Sequence, residues 1–258
     1  MEAKQEKRRA YLKKQIYLTD IEKSELSNLD ELKAEYIREV NERFTNQPPA
    51  EVKKAPELTV EFVGYWFRKF WEFQNKKELI INDNNRDVIN MLCLYFARDK
   101  RFETEFESKT GLDFSLNKGI FLTGFVGTGK SSMFEAFRLL GENYSKEFQN
   151  LSLFFWKHNC KQIVSEYMEK GNDEGKNIKK YFKGSVPIYF DDLGTEQNAW
   201  DVNIMQNIIE ARYDSNARTF ITSNLGLKTI EEKYGKRVSD RFNEMFNIIP
   251  INGESFRK

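Results

Sequence analysis

One eight-residue stretch, Gly124-Phe-Val-Gly-Thr-Gly129-Lys130-Ser131, constrains this chain more than any other. It reads as glycine, any four residues, then Gly-Lys-Ser. It stands between an apolar run of strand length, Gly119-Ile-Phe-Leu-Thr123, and a helical pattern from Met133 to Leu140, the context that gives the motif meaning. Glycines let the backbone curl into a concave ring of amide donors, and the helix N-terminus behind it adds partial positive charge. Such a cradle suits a polyphosphate. Lys130 is placed to reach the β- and γ-phosphates and the Ser131 hydroxyl to ligate magnesium. The expected ligands are therefore a nucleoside triphosphate and magnesium, with Gly124, Gly127, Thr128, Gly129, Lys130, Ser131 and Ser132 forming the binding loop.

From Leu116 onward, short apolar runs alternate with helical patterns. The runs are 119–123, Leu151 to Trp156, Val186 to Phe190, Thr219 to Thr222 and Asn247 to Ile251. Alternation of this kind implies crossover connections and a parallel sheet covered on both faces. The third run ends in Asp191-Asp192, which such a sheet would present beside the phosphate loop. Asp191 fits the magnesium sphere through water, and Asp192 can polarise an attacking water. The fourth run leads through Ser223 to Asn224, a water-orienting candidate if its strand neighbours the acidic one. Arg237 and Arg241, four apart, share a helix face. An arginine supplied from a neighbouring subunit can raise phosphoryl-transfer rates by roughly 10³–10⁵.

The first half reads differently. Residues 1–45 are rich in Lys, Glu and Leu, with Leu26, Leu29, Leu32, Tyr36, Val40 and Phe44 at helical spacing. Asn46-Gln-Pro-Pro-Ala and Lys53-Lys-Ala-Pro56 read as a linker. Thr59 then caps a helix carrying Phe62, Val63, Trp66, Phe67, Phe70 and Phe73, and Asp87 to Phe102 forms another helix after the break at Asn82-Asp-Asn-Asn.

Composition removes several classes. With 41 Lys plus Arg against 40 Asp plus Glu among 258 residues, the net charge is +1, so nucleic-acid binding would need a local patch. The candidates are Lys157, His158, Lys161 and the 176–183 lysines. Two distant cysteines, Cys93 and Cys160, exclude a disulfide scaffold or a four-cysteine zinc site and suit a reducing compartment. No apolar run approaches the ~20 residues of a membrane span, and the basic start lacks the apolar core of a secretory signal. A cytoplasmic protein with no membrane association is expected.

Together these residues resemble AAA+ ATPases of the DnaC-type helicase-loader group and the related IstB-type transposition ATPases. The likeness covers roughly residues 86–258. It rests on the phosphate loop, on Asp191-Asp-Leu-Gly-Thr-Glu196, on Glu210-Ala-Arg-Tyr213 leading into Thr222-Ser-Asn-Leu225, and on Tyr234-Gly-Lys-Arg-Val-Ser-Asp-Arg241 and Asn252-Gly-Glu-Ser-Phe-Arg257. The fold it implies is an α/β P-loop NTPase of AAA+ type, with a five-stranded parallel sheet flanked by helices and a helical N-terminal region in front. The expected division is an arm and linker over 1–56, an aromatic helical region over 57–115 and the ATPase core over 116–258.

The resemblance makes Lys130 and Ser131 Walker A, Asp191 and Asp192 Walker B, and Asn224 sensor 1. It puts the arginine finger on Arg241 ahead of Arg237. Lys130, Asp192, Asn224 and Arg241 are thus the implied catalytic set, and Ser131 and Asp191 the implied metal residues. A lid helix bearing a sensor-2 arginine is missing from the pattern, with Arg212 or Arg257 as the candidate substitutes. The implied partners are a replicative DNA helicase gripped by the N-terminal region, single-stranded DNA, and further copies of the chain meeting at the ATP site. The rival readings are an IstB-type regulator acting with a transposase on duplex DNA and, further off, a small-molecule P-loop kinase.

Overall fold

The structure is a computed structural model that describes residues 53–110, 113–170, 178–182, 184, 186–199 and 202–253, without the side chains of 106–110 and 170. The expected 1–45 helical arm and the Pro48-Pro49 part of the linker lie outside these residues. The chain divides into two compact units, Met1–Val52 and Lys53–Lys258, and every described residue belongs to the second.

Thr59 opens the first described helix as its spacing predicts. Its hydroxyl accepts from the Phe62 amide at 3.2 Å, and helix α1 runs Val60–Asn75 until Lys76 turns left-handed at φ 53°. Helix α2 covers Arg86–Phe96 and α3 covers Arg101–Thr110. The single helix expected from Asp87 to Phe102 is therefore two. Arg98 takes φ 58°, and the Asp99 carboxylate receives the Arg101 amide at 2.9 Å, starting a new helix.

Next come β1 (Gly119–Gly124), α4 (Lys130–Phe148), β2 (Trp156–Asn159), α5 (Cys160–Lys170), a short 3₁₀ turn at Lys179–Tyr181, β3 (Ile188–Leu193), α6 (Ile204–Asp214), β4 (Thr219–Ser223), α7 (Leu227–Tyr234), α8 (Lys236–Met245) and β5 (Phe246–Ile251). All five strands pair parallel in the order β2-β3-β4-β1-β5. The fold class expected for the ATPase core is the one observed. The strand expected over Leu151–Trp156 is displaced to Trp156–Asn159. The Phe154 amide turns back to the Leu151 carbonyl at 3.0 Å, and pairing starts only where the Trp156 amide meets the Pro187 carbonyl at 3.0 Å.

Strand alternation sorts the core into two layers. Ile120, Leu122, Tyr189 and Phe220 face α1, α2 and α4, while Phe121, Ile188, Phe190 and Ile221 face the layer containing α5, α6 and α8. Aromatic rings fill the first layer: Phe137 stacks on Phe67 at 4.6 Å and on Phe96 at 4.3 Å, and Phe134 stacks on Tyr189 at 4.7 Å. The aromatic helix α1 therefore packs directly on α4, the helix that follows the phosphate loop, and the core runs across the boundary expected at 115/116. Tyr65, Trp66 and Phe73 stay exposed on its outer side.

Candidate functional site

Three neighbouring strands, β3, β4 and β1, deliver their C-terminal ends to one place. There they present Asp191-Asp192, Asn224 and the phosphate loop. Gly127 and Gly129 hold φ of 87° and 86°, left-handed conformations that glycine adopts without a Cβ clash, and α4 begins immediately after. Lys130 is only 4% exposed. Its Nζ donates to the carbonyls of Gly124 (2.7 Å) and Phe125 (2.8 Å) and to Asn224 Oδ1 (2.9 Å). Thr128 is buried, its hydroxyl donating to the Phe125 carbonyl at 2.9 Å.

A cleft of about 830 Å³ opens over this loop. Gly127, Gly129 to Ser132, Asp192 and Asn224 form one wall, and Trp71, Asn75, Leu79 and Asn85 help form the other. The apolar side chains of Ile80 and Val126, 71% and 58% exposed, flank it. A side-chain bond ties the walls together: Gln74 Nε2 donates to the Ser132 carbonyl at 2.5 Å.

Two consecutive aspartates on a regular strand would point to opposite faces. Here a bulge intervenes, since Phe190 pairs with Ile221 and Leu193 with Ser223, leaving Asp191 and Asp192 together opposite Thr222. Asp192 takes φ 58°. As a result Asp191 reaches Ser131 while Asp192 lines the cleft. The amide of Asp192 donates to Thr222 Oγ1 at 3.2 Å.

Asp191 is crowded. Its Oδ1 accepts from Ser131 Oγ (2.7 Å), Tyr189 OH (2.5 Å) and Thr222 Oγ1 (2.8 Å), and Lys157 Nζ lies 3.2 Å from Oδ2. Burial works against the charged carboxylate, but the Tyr189 hydrogen bond, the Lys157 charge and the two other hydroxyls outweigh it and hold the group below the ordinary aspartate range. Burial and the adjacent carboxylate push the Tyr189 phenol far up, so it stays a donor. Lys157 is held charged above the usual lysine range because Asp191 and Glu135 together outweigh its burial.

The donor chemistry fits magnesium. That ion binds through one or two hard protein oxygens plus phosphate and water, rather than an all-protein cage. Ser131 and Asp191 are hydrogen-bonded to each other at the floor of the cradle, and among the described residues no group of three or more His, Cys, Asp or Glu could hold a metal.

Other expected site residues fall elsewhere. Arg241 packs its guanidinium 4.3 Å over the Tyr213 ring, 3.3 Å from Asp214 Oδ1 and 3.9 Å from Glu210 Oε2, while Arg237 is exposed on the same helix. Arg212, a possible sensor-2 substitute, is wholly buried at the opposite end of the sheet. It donates to Thr219 Oγ1 and to the Tyr181 and Arg218 carbonyls, and burial lowers its pKa to about 10. That placement removes it from the phosphate site. Arg257 lies outside the described residues, as do Lys176 and Lys183. Of the DNA-facing candidates, Lys157 is engaged by two carboxylates and His158 packs edge-on against Tyr181 at 4.8 Å. Burial, Lys180 and Arg212 push His158 below the usual histidine range. Lys161, Lys179 and Lys180 are exposed.

Sequence reasoning missed the second wall of the cleft and the Tyr189–Thr222–Lys157 shell around Asp191. The only available signal for the wall was the Asn82-Asp-Asn-Asn break. It also missed Glu196, 5% exposed, which accepts from the Gly194 amide (2.8 Å) and Tyr234 OH. With Lys233, which donates to the Gly194 carbonyl at 2.7 Å, it ties the loop after Asp192 to α7.

No protein-family model matches the chain, and no curated protein matches it either. Solved structures do. The crystal structure of the DnaC helicase loader is similar at 18% identity and TM-score 0.49, covering 72% of this chain and 99% of that one. The crystal structure of DnaI is similar at 19% identity and TM-score 0.45, covering 72% and 94%. AMPPCP-bound DnaA from Aquifex aeolicus is similar at 20% identity and TM-score 0.41, covering 68% of this chain and 49% of that one. Among the described residues, no helix is long and apolar enough to cross a membrane.

Proposed function

We propose that this protein is an ATPase of DNA replication that binds and hydrolyses ATP with magnesium and loads a replicative helicase onto single-stranded DNA. The observation that carries the ATPase reading is the convergence of Lys130, Ser131, Asp191, Asp192 and Asn224 at the ends of three adjacent strands, around one cleft. In this reading the loop amides and Lys130 bind the phosphates, and Ile80 and Val126 seat the base. Ser131 and Asp191 hold magnesium, which when bound neutralises phosphate charge. Asp192 polarises the attacking water, Asn224 orients it, and Arg241 of an adjoining copy faces the same phosphate. Nucleotide state then changes how copies associate, which is the coupling a loading switch requires.

The loader reading rests on the Asp191–Glu196 and Thr222–Leu225 strings and on the helical pattern ahead of the core. Binding of a fluorescent ATP analogue, lost in Lys130→Ala, tests the site. Affinity capture with Asp192→Asn, which should trap the ATP-bound partner complex, tests the role. Recovery of a replicative helicase supports it, and recovery of a transposase with preference for duplex DNA replaces it with the transposition reading.

A further inference from the structure

Lys157 occupies an unusual position for a lysine on an edge strand. It lies on β2, paired only with β3, and its stem reaches inward to the carboxylate of the metal site. Its Nζ is 3.2 Å from Asp191 Oδ2 and 3.1 Å from Glu135 Oε2. Glu135 stands one helical turn beyond Ser131 on α4, so the ammonium sits between two acids on different elements. The Asp191 side chain is 9% exposed and that of Lys157 30%. The carboxylate is fixed by three hydroxyls, and the lysine is the partner with room to move. Its outer flank opens into a groove of about 730 Å³ that Glu135, Arg138, Trp156 and His158 help to line.

An ammonium against Oδ2 neutralises the charge that Asp191 would offer a divalent cation. Glu135 is a ready second seat. Its other oxygen accepts from Arg138 at 2.8 Å, and Arg138 is in turn held by Glu142 at 2.8 Å, so Glu135 is rigidly placed. Lysine suits such a shift because its head is a compact charge on a flexible stem, whereas a guanidinium would lock to one carboxylate.

We propose that Lys157 is a positioning residue that competes with magnesium for Asp191 and stays on Glu135 when it gives Asp191 up, so that how readily it releases Asp191 sets how readily the nucleotide site takes up the ion. The inference rests on the ATPase reading. It adds a requirement the motifs do not contain: magnesium uptake is coupled to an edge strand and to the groove beside it.

The test is a magnesium chloride titration of fluorescent ATP-analogue binding by the full chain at constant ionic strength. Lys157→Met removes the competitor and should lower the half-saturating magnesium concentration on the order of tenfold, the effect of deleting one nearby like charge. Glu135→Gln removes the alternative seat and should raise it several-fold. The double variant should follow Lys157→Met, and Lys157→Arg, which keeps the charge, should stay near wild type or above. Lys157→Gln serves as a second neutral variant if the methionine protein does not fold. A purely structural lysine would move both single variants in the same direction or leave both unchanged, and purely additive charge effects would bring the double variant back toward wild type; any of these results overturns the proposal while leaving the ATPase reading intact. Wild-type protein that binds no analogue at any magnesium concentration overturns both.

Discussion

Asn224 Oδ1 accepts a hydrogen bond from Lys130 Nζ at 2.9 Å, so the residue just after β4 holds the lysine that opens α4. The Gly124 and Phe125 carbonyls also accept from the ammonium, at 2.7 and 2.8 Å. In the proposed ATPase reading, a phosphate tail entering the cradle draws Lys130 from this seat and frees the Asn224 amide to meet a water. Lys130→Ala should therefore weaken analogue binding by at least about 10²-fold, the usual cost of removing a buried, paired charge. Asn224→Ala should bind within a few-fold of wild type yet turn over about 10²-fold more slowly. Equilibrium isotherms beside single-turnover hydrolysis separate the two. Equal loss of affinity in both variants would contradict the division of roles.

Gly194 follows the acidic bulge at φ 102°, and a Cβ placed there would lie 2.3 Å from Leu225 Cδ1. Gly194→Ala combines backbone strain with overlap against the residue next to Asn224, and should cost about 1–3 kcal/mol. Urea unfolding should show a lower midpoint with unchanged slope. Pairing it with Leu225→Ala should recover the steric part only, leaving the backbone part visible.

The sheet and the phosphate loop were legible because each is written in local sequence: apolar runs of strand length and a glycine spacing followed by a helical pattern. The neighbourhood of Asp191 and Asn224 could be stated only as a condition, and strand order β3-β4-β1 meets it. What sequence did not show depends on register and tertiary contact. The bulge that lets consecutive aspartates serve one site has no signature in Ile188-Tyr-Phe-Asp-Asp. The Lys157 contact with Asp191 spans 34 positions and needs the β2 register, which begins only at the last residue of the apolar run, Trp156. Arg212 shows the opposite error. An arginine amid a matching string looks functional, but a 0% exposed guanidinium on three backbone and hydroxyl acceptors is a structural clamp.

Arg212→Met should accordingly destabilise the protein by about 2–4 kcal/mol, because the Tyr181 and Arg218 carbonyls lose their donor in the interior. Analogue affinity of the folded fraction should not change. A selective loss of affinity without loss of stability would return Arg212 to the nucleotide site.

Arg241 and Arg237 differ in what they do within one subunit. Arg241 covers Tyr213 and faces Glu210 and Asp214, so Arg241→Ala should lower stability by about 1 kcal/mol, while Arg237→Ala stays within about 0.5 kcal/mol. If Arg241 serves a neighbouring copy, its alanine variant keeps ATP binding but loses the rise of specific activity with protein concentration. Mixing Arg241→Ala with Lys130→Ala should restore part of that activity, since one copy supplies the finger and the other the intact cradle. Restoration with Arg237→Ala instead would move the finger to Arg237.

The carboxylates around Lys157 give the acid limb of stability a definite sign. Asp191 and Glu135 are both held below their ordinary values despite burial, Asp191 through Tyr189 and Lys157 and Glu135 through Arg138 and Lys157. A group whose folded pKa is depressed adds stability that is complete above its unfolded value, about 4 here, and is lost as pH falls through the lower folded value. Wild-type urea midpoints should thus be flat with respect to these groups near neutrality and fall steeply only below about pH 4. Lys157→Met removes one cause of the depression from both acids at once, so its folded pKa values rise toward the unfolded ones. Its decline should start near the same pH, set by the unfolded acids, but end at a higher pH and be smaller in total. Parallel midpoint curves for the two proteins between about pH 5.5 and 3 would mean that the lysine does not hold the acids it touches.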